Sequence, residues 1–505
     1  MSRYSLLSLS TSVVALSLGF GAQTGCRAED SSSPGADRKE ASARVTKVKT
    51  AFPRLATHDI GDKNYDKPEY QAVLARFDFT LLGFYKGWHG GPAAMRAAVQ
   101  AIKARNPAIL VGNYTILESN YWDPARPGSK AVIDVIEKIR GEAGPTGAAG
   151  TWTPNDWWAR SPAGAQVLSP GYPAAATVNI TNFVTPDRHG DRYPQWFAKW
   201  CNAEFFAQVP EIDLWYSDNA FYRPRVSADW DRDGKADSKD DQTVRTHFRQ
   251  GMAAYWAEIN RLRPGMTIMG NVDGRFDLTG THDGFLSEPE YDGKIGAALL
   301  ESALGRGFSC ERQFGWDKTM EAYRSLIDHT APPHLVVFDT KVTANGLLFE
   351  PVAERGNYGG GAEYALLRYV LASTLMEDGY LAVKNGGYNM AATVWFDEFD
   401  LAGAANTSWL GPATDPPQRH AYQDGVYLRR FQNGAALVNP RSNPGSKAND
   451  RSTVDVAIPT SMGRFKRISG KQDPATNNGE ALPRNAQGVP HVAIKAGDGI
   501  ILIRQ

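Results

Sequence analysis

Acidic residues recur at the ends of short apolar runs along much of this 505-residue chain. Asp218 ends the run DLWYSD, and Glu288 and Glu290 end the run GFLSEPE. Two facing carboxyl groups can cleave a glycosidic bond, because one stabilises or attacks an oxocarbenium-like centre while the other protonates the leaving oxygen. We therefore predict Asp218 as nucleophile or base and Glu288 as the acid, with Glu290 as the alternative acid.

Other polar and aromatic residues follow the same runs or lie in the adjoining loops. Hydroxyl groups of a sugar need hydrogen-bond partners, and its C–H faces stack on aromatic rings. The competing interpretation is that the Asp and Asn residues cap helices and the aromatic residues belong to the core. The predicted substrate-binding residues are His58, Tyr85, Lys86, Trp88, Trp122, Trp157, Tyr222, Asn271, Asp273 and Asp339.

The segment DWDRDGKADSKDD (229–241) has oxygen-bearing residues at the spacing of a calcium-binding loop. Positions one, three, five, nine and twelve are acidic, and Gly234 at position six permits the sharp turn such loops need. The alternative is a solvated acidic loop. The predicted ligands of a structural Ca²⁺ are Asp229, Asp231, Asp233, Asp237 and Asp240.

The elements that position these residues are short apolar runs alternating with helix-like segments. Apolar residues at three- and four-residue spacing predict helices at 93–105, 243–262 and 316–328. Strands separated by helices indicate a parallel sheet, and eight of them fit a (β/α)8 TIM barrel better than a doubly wound open sheet, which normally carries a glycine-rich phosphate loop. The predicted strands are 54–58, 79–85, 108–114, 212–219, 267–272, 284–288, 334–340 and 379–384.

The chain changes character near its end. Runs such as GVYLRRF, GAALVNP and GIILIR are short strands separated by Gly, Asn and Pro, which is typical of an antiparallel β-sandwich. We predict a catalytic barrel over residues 48–412 and a small C-terminal β-sandwich domain over residues 413–505.

The first residues are typical of an export signal. A basic Arg3 precedes an apolar run and then small residues, so residues 1–26 read as a signal peptide. Cys26 fits a lipoprotein processing site, ordinary cleavage nearby being the alternative, and the polar residues 27–47 read as a flexible linker. We expect a secreted, periplasmic or lipid-anchored protein. Cys201 and Cys310 either pair or remain buried thiols.

Composition limits the function classes. Lys and Arg total 55 and Asp and Glu total 55, so there is no basic surplus for binding nucleic acid. The nine histidines are scattered without a His-x-x-x-His pair, which disfavours a metal-dependent deacetylase. The leading hypothesis is a glycoside hydrolase acting on an extracellular or cell-envelope polysaccharide, without a cofactor for the chemistry. The alternative is a non-catalytic glycan-binding surface lipoprotein on a degenerate barrel.

Four tracts carry a family resemblance. They are DLWYSDNAFYRP (213–224), DRDGKADS (231–238), WFDEFDLAG (395–403) and YLRRFQNGAALVNP (427–440). With them the chain resembles the hypothetical glycosyl hydrolase families of (β/α)8 type, most closely the one numbered fifteen. The resemblance implies a barrel with a C-terminal β-domain and a glycosidase role, without a substrate. Asp397 and Glu398, in the third tract, either reach the barrel mouth as substrate contacts or as a replacement acid, or cap the junction with the β-domain.

Overall fold

The computed structural model describes most of the chain after residue 49. The described residues are 50–60, 65–84, 90–122, 130–142, 157–170, 172, 174–272, 294–305, 309–330, 335–342, 361–384, 395–403, 407–441 and 453–505.

Eight parallel strands close into a barrel, which confirms the predicted (β/α)8 fold and excludes the open sheet. Each strand pairs with its neighbours in chain order, and the last pairs with the first. The barrel strands are β1 (Leu55–Asp59), β2 (Phe79–Leu82), β3 (Leu110–Ile116), β4 (Leu214–Asp218), β5 (Thr267–Val272), β6 (Ala297–Leu300), β7 (Val336–Lys341) and β8 (Tyr380–Lys384).

The sixth barrel strand is not the segment that was predicted from the sequence. Ala297–Leu300 pairs with β5 on one side and β7 on the other, so the sixth place in the barrel belongs to this run. The segment 284–288, which was predicted to be strand six, lies outside the described residues. The predicted segment has the Phe and Leu of a typical strand, whereas the actual run, AALL, is rich in alanine.

Alternate residues of each strand face the barrel interior and the surrounding helices. In β4, Leu214 and Tyr216 belong to the interior cluster, while Trp215 packs outward in the larger core and stacks on Phe206 with ring centroids 3.7 Å apart. This period of two follows from the pleat of the strand. It sends the side chain of Asp218, two residues after Tyr216, toward the axis at the carboxyl end.

Helices surround the barrel, and the three predicted from apolar spacing are present. Asp241 caps the longest one by accepting from the backbone N–H groups of Thr243 and Val244. The described helices are α1 (Pro68–Leu74), α2 (Gly91–Arg105), α3 (Lys130–Glu142), α4 (Tyr193–Cys201), α5 (Gln242–Leu262), α6 (Cys310–Phe314), α7 (Trp316–His329), α8 (Gly361–Leu375) and α9 (Asp397–Asp400), with a π-helical turn at Asn202–Phe206 and 3₁₀ turns at Leu401–Gly403 and Thr460–Met462.

Antiparallel strands follow the barrel, as predicted. A four-stranded sheet has the order Tyr427–Phe431, Gly434–Asn439, Asp498–Arg504 and Phe465–Arg467, and Thr453–Ala457 pairs with His491–Lys495. The predicted limits of this domain remain predictions. The strands are β9 (Tyr427–Phe431), β10 (Gly434–Asn439), β11 (Thr453–Ala457), β12 (Phe465–Arg467), β13 (His491–Lys495) and β14 (Asp498–Arg504).

Helix α8 joins the barrel to the four-stranded sheet. The buried guanidinium of Arg368 pairs with Asp498 at 3.1 Å and with Asp473 at 2.7 Å. A Cβ on Gly499 would lie 2.5 Å from the carbonyl oxygen of Arg368, so only glycine permits this close approach.

Among the described residues, no helix combines the length and apolar character needed to cross a membrane. Cys201 and Cys310 are buried free thiols, which resolves the alternative of a disulfide between them.

Candidate active site

The carboxyl ends of the barrel strands bring together polar residues that are far apart in the chain. Ser217 pairs with Gly270 across β4 and β5, so Asp218 and Asn271 are the next residues on neighbouring strands. Leu300 pairs with Phe338, so Glu301 and Asp339 stand level one step further along. In TIM barrels this face carries the active site.

Asp218 is held by two donors that come from different strands. The Tyr114 hydroxyl donates to its Oδ2, and Asn271 Nδ2 donates to its Oδ1 at 2.7 Å. Burial and the negative charge of Glu301 raise the pKa of Asp218, while these two hydrogen bonds and His58 oppose the increase. The charge of Glu301 therefore affects the pKa of Asp218.

Glu301 is the acid that sequence analysis missed. It directly follows β6, and its Oε2 accepts from Asn271 Nδ2 at 2.9 Å, so one amide nitrogen bridges Glu301 and Asp218. The carboxylate is half-buried. The signal was present in the sequence, because Glu301 ends the apolar run AALLE, but that run was not assigned to a strand.

His58 and Asp339 lie across the same opening. The distance from His58 Nδ1 to Asp339 Oδ2 is 3.5 Å, and both side chains are buried. The His58 ring stands 5.2 Å from the ring of Tyr216. In the part of the chain that the structure describes, His58 Nε2 and the Tyr216 hydroxyl are buried and have no hydrogen-bond partner.

Tyr216 lies among the acidic groups. Burial raises the pKa of its hydroxyl well above the usual value, and the charges of Asp218, Glu301 and Asp339 raise it further. The hydroxyl therefore stays protonated and remains a potential donor.

A second group of residues supports Asp218 from the side of β3. Glu118 is buried, accepts from Asn219 Nδ2 at 2.6 Å and lies 3.6 Å from Arg225. Burial raises the pKa of Glu118, against the opposing effect of Arg225. Asn219 adopts a positive φ of 51°, a left-handed conformation that Asn tolerates better than most residues. Sequence analysis did not select Glu118, although it follows the run TIL.

The predicted aromatic residues separate into two groups. The prediction that Trp157 is a platform for substrate is wrong, because this residue is fully buried. Its indole N–H donates to the Thr185 carbonyl at 3.1 Å, and its ring packs edge-on against Tyr193. Trp122 is partly buried against the core. Tyr222 lines a surface cleft with Pro170, Phe221, Arg223, Pro224, Arg225 and Lys239.

Several predicted residues lie outside the described residues, and their roles stay predictions. They are Tyr85, Lys86, Trp88, Asp273, Glu288 and Glu290.

The acidic loop after β4 gathers three of its five predicted ligands. One carboxylate oxygen from each of Asp229, Asp231 and Asp237 lies within 4.8 Å of the other two. Burial and the charges of Asp231 and Asp229 raise the pKa of Asp237, although two backbone N–H groups donate to it.

The other two predicted ligands, Asp233 and Asp240, do not belong to this group of three. Asp233 pairs with Lys235 at 2.8 Å, and Asp240 pairs with Lys239 at 2.8 Å and with Arg223. Lysine and arginine side chains therefore neutralise part of the charge of these two carboxylates.

Asp397 and Glu398 lie at the junction with the C-terminal strands. Asp397 Oδ2 accepts from the backbone N–H of Gln472 at 2.8 Å, and Glu398 accepts from Asn477 at 2.7 Å. Of the two alternatives, the contacts favour the structural one.

No protein-family model and no curated protein matches the chain. Among solved structures, it is similar to the glycoside hydrolase domain of PelA from Pseudomonas aeruginosa at 13% identity and a TM-score of 0.36, covering 68% of this chain and 100% of that one. It is also similar to an alpha-amylase from Geobacillus thermoleovorans (8%, TM-score 0.41, 90% and 98% covered) and to one from Lactobacillus plantarum (11%, 0.45, 91% and 100%). Identities and TM-scores this low do not indicate a function for this chain. The functional argument therefore depends on the side chains of the barrel mouth.

Proposed function

We propose that this protein is a glycoside hydrolase that retains anomeric configuration and uses Asp218 and Glu301 as its carboxylate pair. The observation that carries the proposal is the bridge through Asn271 Nδ2. Two oxygens at 2.7 Å and 2.9 Å from one nitrogen lie less than about 6 Å apart, and this proximity favours the ~5–5.5 Å between the carboxyl groups of retaining enzymes over the ~6.5–9.5 Å of inverting ones.

Asp218 acts as the nucleophile. Hydrogen bonds from Tyr114 and Asn271 engage both of its oxygens, which favours the ionised form and orients the carboxylate. It attacks the anomeric carbon as the glycosidic C–O bond breaks, and a covalent glycosyl-enzyme forms.

Glu301 acts as acid and then as base. In the first step its proton passes to the leaving glycosidic oxygen. In the second step it takes a proton from water, whose oxygen attacks the anomeric carbon and releases Asp218. Glu288 and Glu290 remain the competing candidates for this role.

The substrate class is carbohydrate. His58 Nε2 and the Tyr216 hydroxyl lie beside the carboxylates, and leaving these buried polar groups unpaired is costly, which favours a polar ligand such as a sugar at this site. The cleft beside Tyr222 offers a surface along which a longer chain can extend. With the predicted export signal, this favours an extracellular or cell-envelope polysaccharide.

The test begins with a panel of soluble polysaccharides and aryl glycosides, with reducing ends or released phenol as the readout. On the best substrate, Asp218→Asn and Glu301→Gln should each lose activity by about 10²–10⁴-fold or more. Glu301→Ala with azide should regain turnover and yield a glycosyl azide of retained configuration, because azide needs no general base.

Asp213→Asn is the matched control. Asp213 directly precedes β4, the strand that ends at Asp218, and therefore lies at the opposite end of the barrel. There it pairs with Lys103 at 2.5 Å, so Asp213→Asn should lower stability and leave activity unchanged. If Glu288→Gln or Glu290→Gln abolishes activity and Glu301→Gln does not, the assigned pair is wrong while the hydrolase function stands. Glycan binding without turnover anywhere in the panel favours the non-catalytic alternative.

A further inference from the structure

The acidic loop between β4 and α5 is shaped like a cation-binding loop. Arg232 and Gly234 have positive φ angles of 69° and 85°, which fold the chain back on itself. The backbone N–H of Gly234 donates to Asp229 Oδ2 at 3.1 Å, and that of Trp230 donates to Asp237 Oδ2 at 2.8 Å. The turn thereby brings the three carboxylates of Asp229, Asp231 and Asp237 together.

Asp229 supplies a second, independent observation. Its side chain is only 6% exposed, and its Oδ1 is buried without a hydrogen-bond partner among the described residues. A buried carboxylate oxygen without a donor is costly, because it has lost water and gained nothing in return. A cation bound between the three carboxylates compensates for this loss.

We propose that Asp229, Asp231 and Asp237 bind one Ca²⁺ ion. Calcium takes six to eight oxygen ligands, so three carboxylates leave places for backbone carbonyl groups and water. The donors are all hard oxygens, which suits Ca²⁺ better than the softer transition metals that prefer imidazole or thiolate.

The nearby positive charges have other partners in the part of the chain that the structure describes. The Arg232 guanidinium donates to the Trp158 carbonyl at 2.9 Å, while its charge still acts on Asp229. Lys235 and Lys239 pair with Asp233 and Asp240.

A series of contacts links the proposed calcium site to the barrel mouth. Ala228 and Asp237 exchange backbone hydrogen bonds at 3.3 Å and 2.7 Å, which closes the base of the loop. Three residues before this base, Arg225 lies 3.6 Å from Glu118, and Glu118 accepts from Asn219, the residue after Asp218. Loss of the ion should therefore loosen the side of the site that supports Asp218.

The test uses the full chain freed of metal with EDTA. Isothermal titration with CaCl₂ should give one site per chain, and saturating calcium should raise Tm by at least about 3 °C. Terbium should bind the same site and luminesce on excitation of tryptophan, since Trp230 lies within the loop.

Asp231→Asn and Asp237→Asn should weaken calcium binding by at least about tenfold. Asp231 is exposed, so its variant keeps the proposal testable if other variants fold poorly. Asp240→Asn is the matched control and should bind calcium like the parent protein. The proposal is overturned if the parent protein shows no binding at millimolar calcium, which would mean that Arg232 alone compensates Asp229. Equal losses in Asp240→Asn and Asp237→Asn would also overturn the assigned ligands.

Discussion

The barrel mouth and the acidic loop both crowd carboxylates together, but they stabilise them by different means. At the mouth, Asp218 and Glu301 share a neutral amide from Asn271, and Tyr114 adds a hydroxyl donor. In the loop, backbone N–H groups serve some of the oxygens, while Asp229 Oδ1 has no donor among the described residues.

This difference separates two uses of negative charge. Neutral donors let carboxyl groups stand close while a proton can still move on or off either one, which suits acid–base and nucleophilic chemistry. A cluster of carboxylates that has too few hydrogen-bond donors is stabilised by a bound positive charge, which suits a structural cation.

The largest effect should come from neutralising one carboxylate in each region. Asp218→Asn should reduce turnover by at least about 10³-fold and leave Tm unchanged or higher, because like charges held for function cost stability. Asp237→Asn should reduce turnover by less than about tenfold. Its Tm should exceed that of the parent protein in EDTA, because repulsion is relieved, and fall below it in calcium. Melting curves and initial rates of both variants in both buffers provide the measurement.

The comparison fails if the two variants behave alike. The comparison also fails if the Tm difference between Asp218→Asn and the parent protein changes with calcium, or if Asp237→Asn loses as much turnover as Asp218→Asn, because the two regions would then not be functionally distinct.

The barrel could be predicted from sequence because most strands have strong patterns. The run IDLWYSDN contains all of β4, and Asp218 was selected because it lies at the end of this strand. Strand β6 was missed because AALL has no β-branched or aromatic residue, and Glu301 was missed with it. A candidate residue at a strand end is only as reliable as the strand.

The remaining errors concern partners that spacing does not reveal. Five aspartates fit the calcium pattern, but Lys235 and Arg223 pair with two of them. Trp157 follows a Gly- and Pro-rich stretch that suggested exposure, yet it packs against Tyr193. Such contacts depend on tertiary packing, which local composition does not encode.

Asn271→Ala should have the next largest effect, about 10²-fold on turnover, because it removes the donor that the two carboxylates share. The hydrogen bond from Asn271 lowers the pKa of Asp218, so its loss raises that pKa. Asp218 must be ionised to attack, so the acidic limb of kcat/KM should move to higher pH. The measurement is a pH–rate profile of the variant and the parent protein.

The control for this variant is Asn106→Ala. Asn106 also donates through its amide, to the carbonyl groups of Ala75 and Phe77 at 3.0 Å, but it stands at the opposite end of the barrel. Its loss should lower Tm and leave the pH profile in place. An unshifted acidic limb in Asn271→Ala would count against the bridge.

Tyr114→Phe should have the smallest effect. It removes one hydroxyl donor to Asp218 and keeps the ring that packs against Tyr216 at 5.5 Å, so turnover should fall by about tenfold or less. The acidic limb should again move to higher pH, because the lost hydrogen bond had lowered the pKa of Asp218. Tyr255→Phe, which removes a buried hydroxyl bonded to Thr115 and Trp215, should reduce Tm without moving the limb. A shift of the limb to lower pH in Tyr114→Phe would show that Tyr114 does not stabilise the ionised nucleophile, and the contrast between mouth and loop would then depend on Asn271 alone.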